Sequence, residues 1–186
     1  EAQPLEAEWP GDAPMPAWNW KKPLGKQIIT EWRTLPDAVD FNGDGLPDLV
    51  MLDHEGFLCL FERKREGGAL VLLPGKRIFI DEKGNPIQLN PGKAGKSGRR
   101  KIHVADWDGD GRLDILQDSA NVKLLRNVET RSGNIVLADM GDLADVKLAG
   151  HDTSPTTVDW DGDGIPGLLI GAEDGHFYYM KNPRAK

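Results

Sequence analysis

Three nonapeptides of one design punctuate this chain. The first is Asp40-Phe41-Asn42-Gly43-Asp44-Gly45-Leu46-Pro47-Asp48, the second Asp106-Trp107-Asp108-Gly109-Asp110-Gly111-Arg112-Leu113-Asp114, and the third Asp159-Trp160-Asp161-Gly162-Asp163-Gly164-Ile165-Pro166-Gly167. Their starts lie 66 and 53 residues apart. Repetition on this scale makes a chain build one supersecondary unit several times, so it constrains the fold before any local propensity does. Each nonapeptide sits between short apolar runs bounded by turn residues, and such runs read as strands. Those that follow are Leu49-Val50-Met51-Leu52, Ile115-Leu116-Gln117 and Leu168-Leu169-Ile170. Turns ending in Gly56, Asn121 and Gly175, residue types that accept positive φ, then lead to third strands at 57–62, 122–126 and 176–180. A fourth strand is expected near 70–73 and 134–138. The third copy ends before one forms, and the β-rich segment 27–32 is the candidate to complete its sheet.

The loops carry the chemistry of a hard-cation site. Calcium takes about six to eight oxygen ligands, often from alternate positions of a tight loop whose glycines permit the turn. Positions 1, 3, 5 and 9 supply carboxylates or an amide, and position 7 (Leu46, Arg112, Ile165) offers its backbone carbonyl. Glycine recurs at positions 4 and 6, as a backbone wrapped around an ion requires. An EF-hand needs a bidentate Glu at position 12 and flanking helices. Met51, Gln117 and Ile170 stand there, inside strands, which rejects that reading. Isolated Asp-Gly hairpin turns are common, but three copies with matching ligand positions are not explained by turn chemistry alone.

The pattern D-F/W-D/N-G-D-G-x-x-D between two strands resembles the FG-GAP or VCBS repeat, known from integrin α-chain propellers, fungal lectins and some polysaccharide lyases. The resemblance covers about residues 30 to 182 and is most specific in the loops. It implies calcium held by Asp40, Asn42, Asp44 and Asp48, by Asp106, Asp108, Asp110 and Asp114, and by Asp159, Asp161 and Asp163. Gly167 replaces the last Asp of the third copy, so two strong calcium sites are expected and a third that is weaker or completed by water. The expected fold is all-β: a propeller-like array of about three four-stranded antiparallel sheets, with calcium loops between first and second strands. The repeat domain spans 27–186, with units at about 33–90, 99–145 and 151–186. Propellers use about four to eight blades, so three units imply further domains of a larger chain, self-association, or three sheets packed compactly without closing a ring. The aromatics at position 2 (Phe41, Trp107, Trp160) are expected to pack between sheets.

Residues 1–26 hold five prolines and three tryptophans, Trp9, Trp18 and Trp20. The prolines make this an extension or linker, and the tryptophans require part of it to pack on the domain. With 23 basic and 30 acidic residues the formal charge is −7, which argues against nucleic acid as a partner. Ten of the acids lie in the loops, so three divalent cations would bring that charge to −1. No run approaches the roughly twenty apolar residues of a membrane helix. The single Cys59 lies in an apolar strand and reads as a buried free thiol.

Topology locates the partner face. If a metal loop joins strands one and two at one edge of each sheet, the turn between strands two and three lies at the opposite edge, as does the segment entering strand one. That edge gathers Arg33, Arg99, Arg100, His151 and His176, with His54, Glu55 and Asp174. The segment from Asn90 to Lys101 holds five cations and no acid, which suits an anionic ligand through charge-assisted hydrogen bonds. The expected function is a calcium-stabilised, secreted or cell-surface module, extracellular or periplasmic, that binds polysaccharide, including anionic polysaccharide, without catalysis. The alternatives are part of a polysaccharide lyase or glycosidase, with His151 or His176 as base beside Arg33, Arg99 or Arg100, and a protein-binding adhesion module.

Overall fold

The computed structural model describes residues 2–15, 22–31, 33–91, 100–144 and 152–184. Among them every regular element is a strand, and the chain divides into two compact units, Glu1–Arg100 and Lys101–Lys186.

In the first unit β1 (Asp37–Val39), β2 (Asp48–Leu52) and β3 (Leu58–Phe61) form an antiparallel sheet in chain order. The first nonapeptide joins β1 to β2. Val50, Leu52, Leu58 and Leu60 are buried, and so are their alternates Met51, Cys59 and Phe61. A strand covered on both faces reads as a continuous apolar run rather than an alternating one, as these two do. Met51, Cys59 and Phe61 pack with Trp9, Ile28, Leu49 and Leu72.

The expected fourth strand of this copy exists, but not as one piece. β4 (Arg63–Glu66) and β5 (Ala69–Leu72) pair with each other as a separate hairpin. Gly67 and Gly68 supply the two positive φ angles, 56° and 87°, of its primed turn. Pairing with the third strand resumes only where Leu60 and Lys76 exchange bonds of 3.0 and 2.9 Å. Pro74 and Gly75 make the break. Proline brings no N–H to a ladder, and a Cβ on Gly75 would lie 2.5 Å from the Phe61 ring. The two-residue β6 (Phe79–Ile80) follows and bridges to Pro86.

The N-terminal segment packs on this unit, as its tryptophan content requires. Ala7 N bonds Lys26 O at 3.1 Å, Ile28 N bonds Leu5 O at 2.9 Å, and Trp9 stands edge-on to Phe61 at 6.4 Å. Residues 26–28 are thus paired with 5–7, which removes segment 27–32 as the missing strand of the third sheet.

The second unit holds β7 (Ile102–Ala105), β8 (Asp114–Gln117), β9 (Lys123–Arg131) and β10 (Asn134–Asp142), antiparallel neighbours in chain order. β11 (Ser154–Val158), β12 (Gly167–Gly171) and β13 (Phe177–Met180) form a three-stranded sheet. Trp107, Leu116, Val122, Leu124, Leu168 and Ile170 fill the core between these sheets. The position-2 aromatic therefore packs between sheets in the second copy. Phe41 stands edge-on to Phe79 at 5.4 Å, whereas Trp160 is 66% exposed, contrary to the packing expected of it. The protein is an all-β, propeller-like repeat of small antiparallel sheets.

Candidate metal loops and the edge opposite them

Each nonapeptide folds around its own first carboxylate. Asp40 Oδ1 accepts from Gly43 N (2.8 Å) and Asp44 N (3.0 Å), and its Oδ2 from Gly45 N (2.9 Å). Asp106 repeats this with Gly109, Asp110 and Gly111 at 2.7, 3.1 and 3.1 Å, and Asp159 keeps the bond from Gly164 N at 3.1 Å. Asp44, Asp110 and Asp163 each accept the N–H two residues on, at 2.9 Å. These bonds need a backbone that turns its amides inward, and the glycines at positions 4 and 6 provide it with φ between 74° and 86° in every copy.

Position 9 behaves differently. Asp48 is fully buried, its Oδ2 accepting Phe41 N (3.1 Å) and its Oδ1 accepting Arg63 N (2.8 Å). Asp114, equally buried, accepts Trp107 N (3.0 Å) and Asn127 N (2.8 Å) in the same way. The last carboxylate is thus a clamp between its loop and β4 in the first copy, and between its loop and β9 in the second. Burial, above all, pushes both carboxyls up, while those amide bonds pull them down.

The donor set fits a divalent cation. It is made of oxygens alone, and carboxylate oxygens of Asp106, Asp108 and Asp114, and of Asp159, Asp161 and Asp163, lie within 4.8 Å of one another. In the first loop Asn42 takes the place of a third outward carboxylate, within the same hydrogen-bond frame.

Residues that the sequence reading missed surround the loops. Arg126 Nε ion-pairs with Asp108, and Lys181 Nζ lies 3.0 Å from Asp161. Asn127 Nδ2 donates to Leu113 O (3.2 Å) and Asn182 Nδ2 to Pro166 O (3.0 Å), tying the third strand to position 8 in two copies. Arg184 crosses the second loop, with Nε on Trp107 O at 2.9 Å. Local spacing carried little signal for them, because Arg126 stands 20 residues after Asp106 whereas Lys181 stands 22 after Asp159.

At the other end of β2 the turn of the first unit is built on Asp53, which accepts Glu55 N (2.8 Å), Phe57 N (3.1 Å) and Arg77 Nε (2.6 Å). Arg77 also pairs with Glu55 and covers the Phe57 ring at 4.0 Å. A cleft of about 380 Å³ opens beside this turn, where Trp9, Phe61, Ile28, Thr30, His54 and Arg77 meet. Two sequence-predicted ligand residues belong to this unit. Arg100 donates to Leu89 O (3.0 Å), and Leu89 N bonds Gly56 O of the turn. Arg33 follows Glu31, whose carboxylate accepts Asn90 Nδ2 (2.7 Å), and Asn90 N also bonds Gly56 O. In the second unit His176 Nδ1 lies 3.2 Å from Asp174, which also accepts Tyr178 Oη at 2.6 Å. That bond pushes the Tyr178 phenol up, the direction opposite to the one a phenolate base needs. Arg99 and His151 lie outside the described residues.

No helix among the described residues is long and apolar enough to cross a membrane. The chain has no match among curated proteins or solved structures. A family model described as FG-GAP-like repeat matches residues 40–117. The match runs from the first residue of the first loop to the end of β8, and over that span the chain is similar to an FG-GAP-like repeat.

Proposed function

We propose that this protein is a calcium-stabilised β-repeat module of a secreted protein, which binds polysaccharide without catalysis at the edge away from its metal loops. The observation that carries the reading is the division of labour along β2: the loop before it brings side-chain oxygens of Asp40 and Asn42 onto one amide, that of Asp44, and an aromatic and polar cleft opens at its end. The cleft has the composition of a sugar subsite, an apolar ring beside hydrogen-bonding side chains. Arg33 and Arg100, on backbone tied to the same turn, supply the charge an anionic glycan would meet. Calcium supplies fixed positive charge to the loops. Asp40, Asn42, Asp44 and Asp48 would hold it in the first copy, Asp106, Asp108, Asp110 and Asp114 in the second, and Asp159, Asp161 and Asp163 in the third.

Two measurements test the reading. Thermal melts in calcium, magnesium and chelator, read beside bound-metal content, should show a melting temperature that rises with calcium concentration. A glycan array should show binding by the wild type, loss with Trp9→Ala, and weakening confined to anionic glycans with Arg33→Ala and Arg100→Ala. A metal-free protein indifferent to chelator would remove the calcium half of the proposal. Release of unsaturated uronate products would replace binding by lyase activity.

A further inference from the structure

We infer that the side chain opposite loop position 9 sets the metal affinity of each loop: Arg126 and Lys181 are resident counter-ions of loops two and three, and Glu62 makes loop one the primary divalent site. The inference rests on the calcium reading above and ranks the sites within it.

Strand register makes the three residues equivalent. Leu49 faces Phe61, Ile115 faces Leu125 and Leu168 faces Met180, so the next pairs set Asp48 against Glu62, Asp114 against Arg126 and Gly167 against Lys181. In two copies the side chain at this place is a cation, and it reaches the same two carboxylates. Arg126 Nε pairs with Asp108 at position 3, and its Nη2 lies 3.6 Å from Asp110 at position 5. Lys181 Nζ lies 3.0 Å from Asp161 and 3.5 Å from Asp163, the same two positions. Arg and Lys differ in shape, so what these two copies share at this position is positive charge.

Loop two carries more of this than loop three. Arg112 pairs with Asp110, and Arg184 lies so close that a Cβ on Gly109 would stand 1.9 Å from its Nη1. Asp108 and Asp110 there thus meet Arg112 and Arg126, and Arg184 lies over the same loop on the carbonyls of Asp106 and Trp107. In loop one the equivalent residue is itself an acid, and its ion pair is made with Lys76 at 2.5 Å. Calcium affinity follows the charge of the ligand set. A loop that must release a side-chain cation to take a metal binds it less tightly, and the same side-chain cation relieves carboxylate repulsion when no metal is bound. Carboxylate count places loop two first, and the counter-ions reverse that order.

The test is calorimetric titration of the full chain with calcium chloride, with Asp40→Ala, Asp106→Ala and Asp159→Ala used to assign each binding step to its loop. Arg126→Gln and Lys181→Gln should tighten the steps of loops two and three about tenfold, and Glu62→Gln should weaken the step of loop one by a similar factor. In chelator, Arg126→Gln and Lys181→Gln should melt at lower temperature than the wild type, because each loop then loses a cation that offsets the repulsion among its carboxylates. Calcium binding by the wild type that stays within twofold in all three variants would overturn the inference and leave the calcium reading standing. No binding by any form would overturn both.

Discussion

The ring of Tyr179 occupies the place of a side chain at Gly167: its Cε2 and Oη lie 2.6 Å from where a Cβ on that glycine would stand. The third loop therefore does not leave position 9 open to water, as its missing aspartate implied. A phenol fills it. Burial, then the charges of Asp161 and Asp163, push that phenol up. Restoring the aspartate alone should fail. Gly167→Asp is expected to cost about 1–3 kcal/mol in urea unfolding, the range of an overpacked site, without tightening calcium binding. Gly167→Asp with Tyr179→Ser should recover the stability and tighten the third site. A single Gly167→Asp variant as stable as the wild type would refute the steric account.

The clamp formed by Asp114 is expected to matter without any metal. Asp114→Ala leaves the amides of Trp107 and Asn127 without their buried acceptor. Each such loss costs about 1–3 kcal/mol, so unfolding in chelator should show a loss of about 2–6 kcal/mol. Asp114→Asn, which keeps the shape and one acceptor, should lose less. If Asp114→Ala destabilises only in calcium, the carboxylate serves as a ligand and not as a clamp.

The contrast between Asp106 and Arg126 shows what the sequence could carry. Asp106 gathers three amides within five residues of itself, so the loop is a local object and its ligand pattern is legible one residue at a time. Arg126 reaches Asp108 only because β8 and β9 pair in one register. Tyr179 and Gly167 meet for the same kind of reason. Registers are set by packing over the whole sheet, which local spacing does not reveal. The strands beside the loops were legible as short apolar runs. The broken fourth strand of the first copy was not, although Gly67-Gly68 is a hairpin signal and Pro74 a strand breaker. The predicted ligand arginines Arg33 and Arg100 followed from strand topology, but the cleft needed Trp9 to fold back onto Phe61, and the tryptophan content of its proline-rich segment predicted packing without saying where.

Acidification should stabilise the first unit through Glu31. Its carboxylate is buried against Asn90. Burial raises its pKa, the Asn90 bond opposes the rise, and the charge of Asp53 adds to it. A folded-state pKa above the unfolded one means that the group's contribution is complete below the ordinary glutamate range and is lost as pH rises through the raised value. The melting temperature of the wild type relative to Glu31→Gln should therefore increase from neutral pH downwards and level off below the ordinary range. A difference independent of pH would show that Glu31 is held equally well in both protonation states.

Cys59 provides a reporter for opening of the same sheet. The thiol is 1% exposed, its Sγ lies 3.6 Å from Asp53 Oδ2, and burial, reinforced by the Asp53 charge, pushes it far above the usual thiol range. Alkylation requires thiolate, so reagent must wait for β2 and β3 to separate. Iodoacetamide at mildly alkaline pH should label the native protein at least about 100-fold more slowly than the urea-unfolded chain, because labelling follows the rare open state. Loop one ends on Asp48, the first residue of β2, so a cation held there ties down the strand that faces Cys59. Calcium should slow the labelling further, and Asp40→Ala should abolish that slowing while leaving the thiol protected in chelator. Equal rates with calcium and with chelator in the wild type would mean that loop one does not hold β2 in place.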